Sequence, residues 1–229
     1  MTIVTIGRGA QSASPFAYNA GETDVNRGCA LFDDFYTVDM VGRTDFNLVD
    51  SASGVLANTA GADVSHFGTS QKVFQSATGR SFSAAIRLKL VGQNASDSVQ
   101  MGLAPNRSAT LVSQSDHVGF TITQGAASSS DVIRAVFSDG TDSESLVIPL
   151  SILSDGFAAT DWHTYGFESS RVSDGGSVLN RARFYIDGKE VGACAGTGSA
   201  MAGTKLICYQ PIVTTLAHVD WISFNMPRT

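Results

Sequence analysis

Cysteine and proline are both rare in this chain, at three and five residues in 229. The cysteines, Cys29, Cys194 and Cys208, are odd in number and widely spaced, which excludes a disulfide framework and the paired pattern of a zinc site. Buried free thiols are expected, with a Cys194–Cys208 bridge across neighbouring strands as the alternative. Positive charge is also short: 15 Lys and Arg face 21 Asp and Glu, for a net charge of -6 and a pI near 5.0. A nucleic-acid groove needs clustered cations that displace counterions, so DNA and RNA are not expected partners. No run approaches the ~18 apolar residues of a membrane helix, and no membrane partner is expected. The first ten residues lack a basic n-region and an apolar h-region, so export by that route is not expected. Asn94-Ala95-Ser96 and Asn106-Arg107-Ser108, which match the glycosylation pattern, then read as loop sequence. A helical period is nearly absent, apart from one turn around Pro149 to Asp155, and no repeat of fixed period suggests a solenoid or propeller.

What is present is two-residue alternation between turn signals. Phe82, Ala84, Ile86, Leu88 and Leu90 alternate with Ser83, Arg87 and Lys89. Val118, Phe120 and Ile122 repeat the pattern, as do Ile133, Ala135 and Phe137. His163, Tyr165 and Phe167 alternate with Thr164, Gly166 and Glu168, and Asp187-Gly188 is a tight-hairpin signal because both residues reach positive φ cheaply. With 23 glycines and strands every 10 to 20 residues, the chain is expected to be all-β, an antiparallel two-sheet jelly-roll sandwich. Residues 29–229 form that domain, and 1–28 form an N-terminal extended arm.

Four segments carry a resemblance. Trp162-His163-Thr164-Tyr165, followed after a gap by Phe184-Tyr185-Ile186-Asp187-Gly188-Lys189-Glu190-Val191, resembles a matching strand pair of the concanavalin A-like lectin and glucanase superfamily, which includes laminin-G-like modules. Leu31-Phe32-Asp33-Asp34-Phe35 is similar to that family's opening strand, and His218-Val219-Asp220-Trp221-Ile222-Ser223-Phe224 to its closing strand. The likeness spans roughly residues 31 to 226 and implies a lectin-like scaffold more than an activity.

Enzymatic members of the laminarinase type should show Glu-x-Asp and a nearby Glu on one strand, because retaining hydrolysis wants two carboxyl groups ~5 Å apart. Here the four glutamates, Glu22, Glu144, Glu168 and Glu190, cannot share a strand. The one Glu-x-Asp, Glu22-Thr23-Asp24, lies in the arm. No Gly-x-Ser-x-Gly elbow presents a serine, and Ser115-Asp116-His117 are neighbours that point to opposite faces and form no triad. His163 is expected to be a packed structural residue. Gly198 to Lys205 has the wrong order for a phosphate loop, since Lys205 follows Thr204. Asp139-Gly140-Thr141-Asp142-Ser143-Glu144 and Asp174-Gly175-Gly176 offer oxygen atoms but match no full calcium loop, so no metal or cofactor is assigned. Trp162, Trp221, Tyr165, Tyr185 and Tyr209 are the aromatics that could stack on sugars, with the core as the expected place of both tryptophans.

These readings converge on an expectation. The chain is taken as a non-catalytic structural or assembly protein, a bacteriophage virion component such as a capsid decoration, cement or fibre protein, located in the virion. Its partners would be protein, through self-association or capsid subunits, with a glycan as a further one. A carbohydrate-binding module is the alternative, and a glycoside hydrolase or lyase comes third. In the assembly reading the arm buries Ile3, Val4, Ile6, Phe16 and Tyr18 against a neighbouring chain. The other outcome is that it folds back on its own domain as an edge strand.

Overall fold

A computed structural model describes residues 28–33, 42–44, 46–50, 55–58, 66–68, 74–75, 81–105, 110–174, 177–198, 205–209 and 216–227. The arm, with Ile3, Val4, Ile6, Phe16 and Tyr18, lies outside them. The first strands are short: β1 (Gly28–Asp33), β2 (Gly42–Thr44), β3 (Phe46–Asp50), β4 (Val55–Asn58), β5 (His66–Gly68) and β6 (Phe74–Gln75). Longer ones follow, namely β7 (Ser81–Val91), β8 (Ser98–Ala104), β9 (Asp116–Thr123), β10 (Val132–Asp139) and β11 (Ser143–Ile148). The chain continues through β12 (His163–Asp174), β13 (Ser177–Ile186), β14 (Lys189–Gly196), β15 (Lys205–Tyr209) and β16 (Leu216–Pro227). Among the described residues only short 3-10 turns interrupt them, one at Leu150–Ile152, where the sequence suggested a turn.

The strands form two antiparallel sheets. The first runs β14-β13-β12-β7-β16-β4-β3, with β1 also on β16, and the second runs β11-β10-β9-β8-β15-β5-β2, with β6 on β15. Alternation places the core between them. Phe82, Ala84, Leu88 and Leu90 of the first sheet are buried against Val118, Phe120, Ile122, Ile133, Ala135 and Phe137 of the second. Phe120 is the centre of contact, edge-on to Tyr165 at 5.7 Å and to Phe184 at 5.4 Å. The expected two-sheet sandwich is therefore observed.

The β13–β14 hairpin is closed by the turn residues named above, with φ of 50° at Asp187 and 79° at Gly188. Two positive φ values are what a primed turn requires, and they match the right-handed twist of the strands. Asp187 does more than turn the chain. Its carboxylate accepts from the Thr164 backbone N–H at 2.8 Å and from His163 Nδ1 at 2.7 Å. Burial pushes the Asp187 carboxyl upward, but the hydrogen bond from His163 and the one from Thr164 outweigh it and hold it below the usual carboxylate range. His163 is buried, stacks on Phe157 at 4.1 Å and places Nε2 3.0 Å from the Ala158 carbonyl. The expected packed role for His163 holds.

A second buried polar cluster ties the sheets together at their rim. Asp139, at the end of β10, accepts from Asn180 Nδ2 and the Gly198 N–H at 2.8 Å each, and from the Asp142 N–H at 2.9 Å. Arg171 donates to Asn180 Oδ1 and the Gly198 carbonyl, both at 3.1 Å. Asp142 in turn accepts from the Thr197 N–H and hydroxyl. Desolvation raises the Asp139 carboxyl, yet these donors keep it below its ordinary value. The oxygen-rich loop of the sequence is thus a latch between β10, β12, β13 and the segment after β14.

Candidate functional site

Alternation fixes what the second sheet shows to the outside. If Val118, Phe120 and Ile122 face the core, then His117, Gly119, Thr121 and Thr123 face out from β9. Register brings Gln100 of β8 and Arg134 of β10 to either side of Thr121, and Val136 and Gly102 to either side of Gly119. A Cβ on Gly102 would lie 2.2 Å from the Val118 carbonyl oxygen, and one on Gly119 would lie 2.0 Å from that of Met101. Only glycine fits at either position. The centre of the face is therefore bare backbone, with polar side chains around it.

One wall rises over this floor. The 3-10 turn Leu111–Ser113 sits on the sheet with Leu111 fully buried against Ala104 and Val136, a small apolar cluster separate from the main core. Beside it opens a groove of about 330 Å³ lined by Ser98, Gln100, His117, Thr121, Arg134 and Ser145, among others. That volume suits a small number of sugar rings.

The groove holds two groups of distinct chemistry. His117 is almost fully buried, with Nδ1 2.9 Å from the Gln114 carbonyl. A carbonyl only accepts, so Nδ1 carries the proton and a neutral ring has its lone pair on Nε2. Burial lowers the His117 pKa, and the Gln114 carbonyl and the charge of Asp116 only partly oppose that. Arg134 is exposed and is the one cationic side chain among the lining residues. It lies four residues along the strand direction from the level of His117, or ~13 Å between backbones, a gap that the long Arg134 side chain together with a bound substrate can span.

Glu144 also lines the groove, and its carboxyl is close enough to Cys194 of the first sheet to act on the thiol. Burial, and then that neighbour, push the thiol up to about 12, and Cys194 is free, not bridged. Glu168 and Glu190 lie on β12 and β14, so no two described glutamates share a strand, as read from the sequence. Among the described residues no three His, Cys, Asp or Glu gather as a metal site, and no helix is long and apolar enough to cross a membrane.

The expected placement of the tryptophans in the core is corrected. Trp162 and Trp221 are only partly buried and lie on the outer face of the first sheet. Trp162 precedes the inward His163, so alternation turns it outward. On β16 the register slips between Val219 and Trp221, and both Val219 and Ile222 keep the core side. Tyr165 is a core residue, at 1% exposure. Sequence reading missed the groove because its residues, Gln100, His117, Thr121 and Arg134, come from three strands and form no motif. The outward phase of β9 was the available signal.

No family model matches the chain, and no curated protein matches it. Solved structures do. An endo-1,3-β-glucanase from Streptomyces sioyaensis aligns with a TM-score of 0.60 at 12% identity, over 89% of this chain and 98% of that one. An alginate lyase mutant in complex with alginate trisaccharide aligns with a TM-score of 0.59 at 10% identity, over 88% and 99%. A lectin from Bauhinia forficata in complex with GalNAc gives 0.54 at 14% identity, over 87% and 98%. The expectation of a non-enzyme is overturned by these likenesses, since two of the three are enzymes. The missing Glu-x-Asp strand excludes one way of breaking a glycosidic bond, not catalysis on this scaffold. The chain is built on the concanavalin A-like jelly roll that glucanase, lyase and lectin share.

Proposed function

We propose that this protein is carbohydrate-active, and that it binds an acidic polysaccharide along the groove of the second sheet and cleaves it by β-elimination. The observation that carries this reading is that one groove holds both a buried His117, with Nδ1 on the Gln114 carbonyl, and its one cation, Arg134. Elimination from a uronate needs no carboxylate pair. A base takes the proton α to the carboxyl group, the electron pair forms the new C=C bond, the glycosidic C–O bond breaks, and the leaving oxygen is protonated. His117 Nε2 is suited to accept that proton and return it to the leaving oxygen. Arg134 and the Gln100 amide are suited to the carboxylate, whose charge spreads in the transition state. The likeness to an alginate lyase bound to alginate trisaccharide supports the substrate class.

The test is incubation with polyuronates, alginate and polygalacturonate, read by the ultraviolet absorbance of the new double bond and by binding in affinity electrophoresis. Uronate binding lost on Arg134→Ala, and absorbance lost on His117→Ala with binding kept, is the expected pattern. Binding of neutral glucans alone in the groove would overturn it.

An assembly role in a virion is a second reading, favoured by the edge strand β11, where Leu146 is 37% and Val147 49% exposed. An open edge with apolar side chains can be extended by another chain. Native mass of the full chain against Val147→Lys and against a 1–28 deletion tests it: an oligomer that either change reduces to a folded monomer supports it, and a full chain that is itself a monomer refutes it.

A further inference from the structure

The two tryptophans take no part in the groove, and their surroundings describe a site of another kind. On the outer face of the first sheet, β7 presents Arg87 and Lys89. The Arg87 guanidinium lies 5.2 Å from the centre of the Trp162 ring and the Lys89 ammonium 5.1 Å from it. From the other side β16 sets Trp221 opposite Arg87 and His218 opposite Lys89, and the Asp220 carboxylate pairs with Arg87. Asp187, on the neighbouring hairpin, is close enough to feel the Arg87 charge and has a side chain 46% exposed. Arg87, Lys89, Trp162, His218, Asp220 and Trp221 are all partly exposed.

The charges around Trp162 cancel, with Arg87 and Lys89 against Asp187 and Asp220. An anion gains nothing net from such a surface. A sugar ring does, because its C–H face packs on an indole while its hydroxyls both donate and accept. The cations over the Trp162 ring hold the indole in one orientation, so little side-chain entropy remains to be lost on stacking, and its partial exposure leaves surface for a sugar. We infer that this face is a second glycan-binding surface, which takes a neutral pyranose stacked on Trp162 with Lys89, Asp220 and Asp187 around its hydroxyls. It lies on the other side of the sandwich from the groove, so a single oligosaccharide cannot fill both.

The experiment uses the full chain and immobilised or titrated neutral hexasaccharides, laminarihexaose and cellohexaose, read by intrinsic fluorescence and by calorimetry. With only two tryptophans in the chain, Trp221→Phe leaves Trp162 as the reporter. Binding of at least one hexasaccharide should shift its emission. Trp162→Ala should weaken that binding about tenfold and Trp162→Phe by less, with melting temperature unchanged. Arg134→Ala should leave it intact, which separates this surface from the groove. The inference is overturned if neither sugar shifts the emission, if Trp162→Ala binds like the parent, or if binding disappears with Arg134 and not with Trp162. It is equally overturned if the face proves to be a contact between copies, seen as an oligomer that Trp162→Ala dissociates in the absence of sugar.

Discussion

Two polar clusters of this sandwich, one at the rim and one on the outer face of the second sheet, could hardly differ more. Around Asp139 the carboxylate, the Asn180 amide, the Arg171 guanidinium and the Gly198 peptide satisfy one another, with all four groups buried. Around His117 and Arg134 the polar groups line an open groove, and among the described residues the histidine bonds only through the nitrogen that faces Gln114. Each cluster has an arginine. What separates structure from function is saturation: a closed network has nothing left to offer a ligand, whereas an open one has paid in stability for donors and acceptors that wait for one.

The contrast is broken or sharpened most strongly at Asp139. Asp139→Ala takes the acceptor from the buried Gly198 N–H and one of two acceptors from the Asn180 amide, and should destabilise the fold by about 1–3 kcal/mol in urea denaturation. If that variant melts like the parent, the cluster is not a latch. Arg134→Ala should cost under ~0.5 kcal/mol in stability, because the side chain is exposed, yet lose about 10- to 100-fold in polyuronate affinity. Tyr165→Phe moves the other way. The hydroxyl is buried with no partner among the described residues, and burial raises its pKa, so its removal should stabilise the fold by about 1 kcal/mol.

The smallest effect is in the pH dependence. The folded pKa of His117 lies below the unfolded value of ~6.5, so as pH falls through 6.5 the unfolded chain binds a proton that the folded one does not. Stability should then decline below about pH 6.5, and more slowly in His117→Gln. Asp187 and Asp139, both depressed, add a steeper loss once pH falls below the unfolded carboxylate value of ~3.9. Melting temperatures between pH 3 and 8 on the order of one-unit steps test both windows.

The fold was legible in the sequence wherever one face of a strand is wholly apolar. β7, β9, β10 and β12 announced themselves by alternation, and Asp187-Gly188 announced its own hairpin, because these features depend on residues near one another in the chain. The groove depends on register across β8, β9 and β10, and that is set by the packing of whole sheets. Trp162 is the instructive miss. Its neighbour His163 faces inward, so alternation alone turned Trp162 outward, but its place in a family-like motif and its apolar bulk argued for the core. On β16 no local rule foretold the slip at Asp220 that carries Trp221 to the same face.

The contact that Asp187 makes with Thr164 and His163 also bears on the order in which the molecule assembles. It spans only 24 residues at most, and the β12–β13–β14 meander it closes pairs neighbours in the chain throughout. By contrast β1 pairs with β16, near the far end of the chain, and that contact must wait until everything between is in place. The meander is therefore the natural nucleus of folding, and its amides should gain protection in pulsed hydrogen exchange before those of β1 and β16 do.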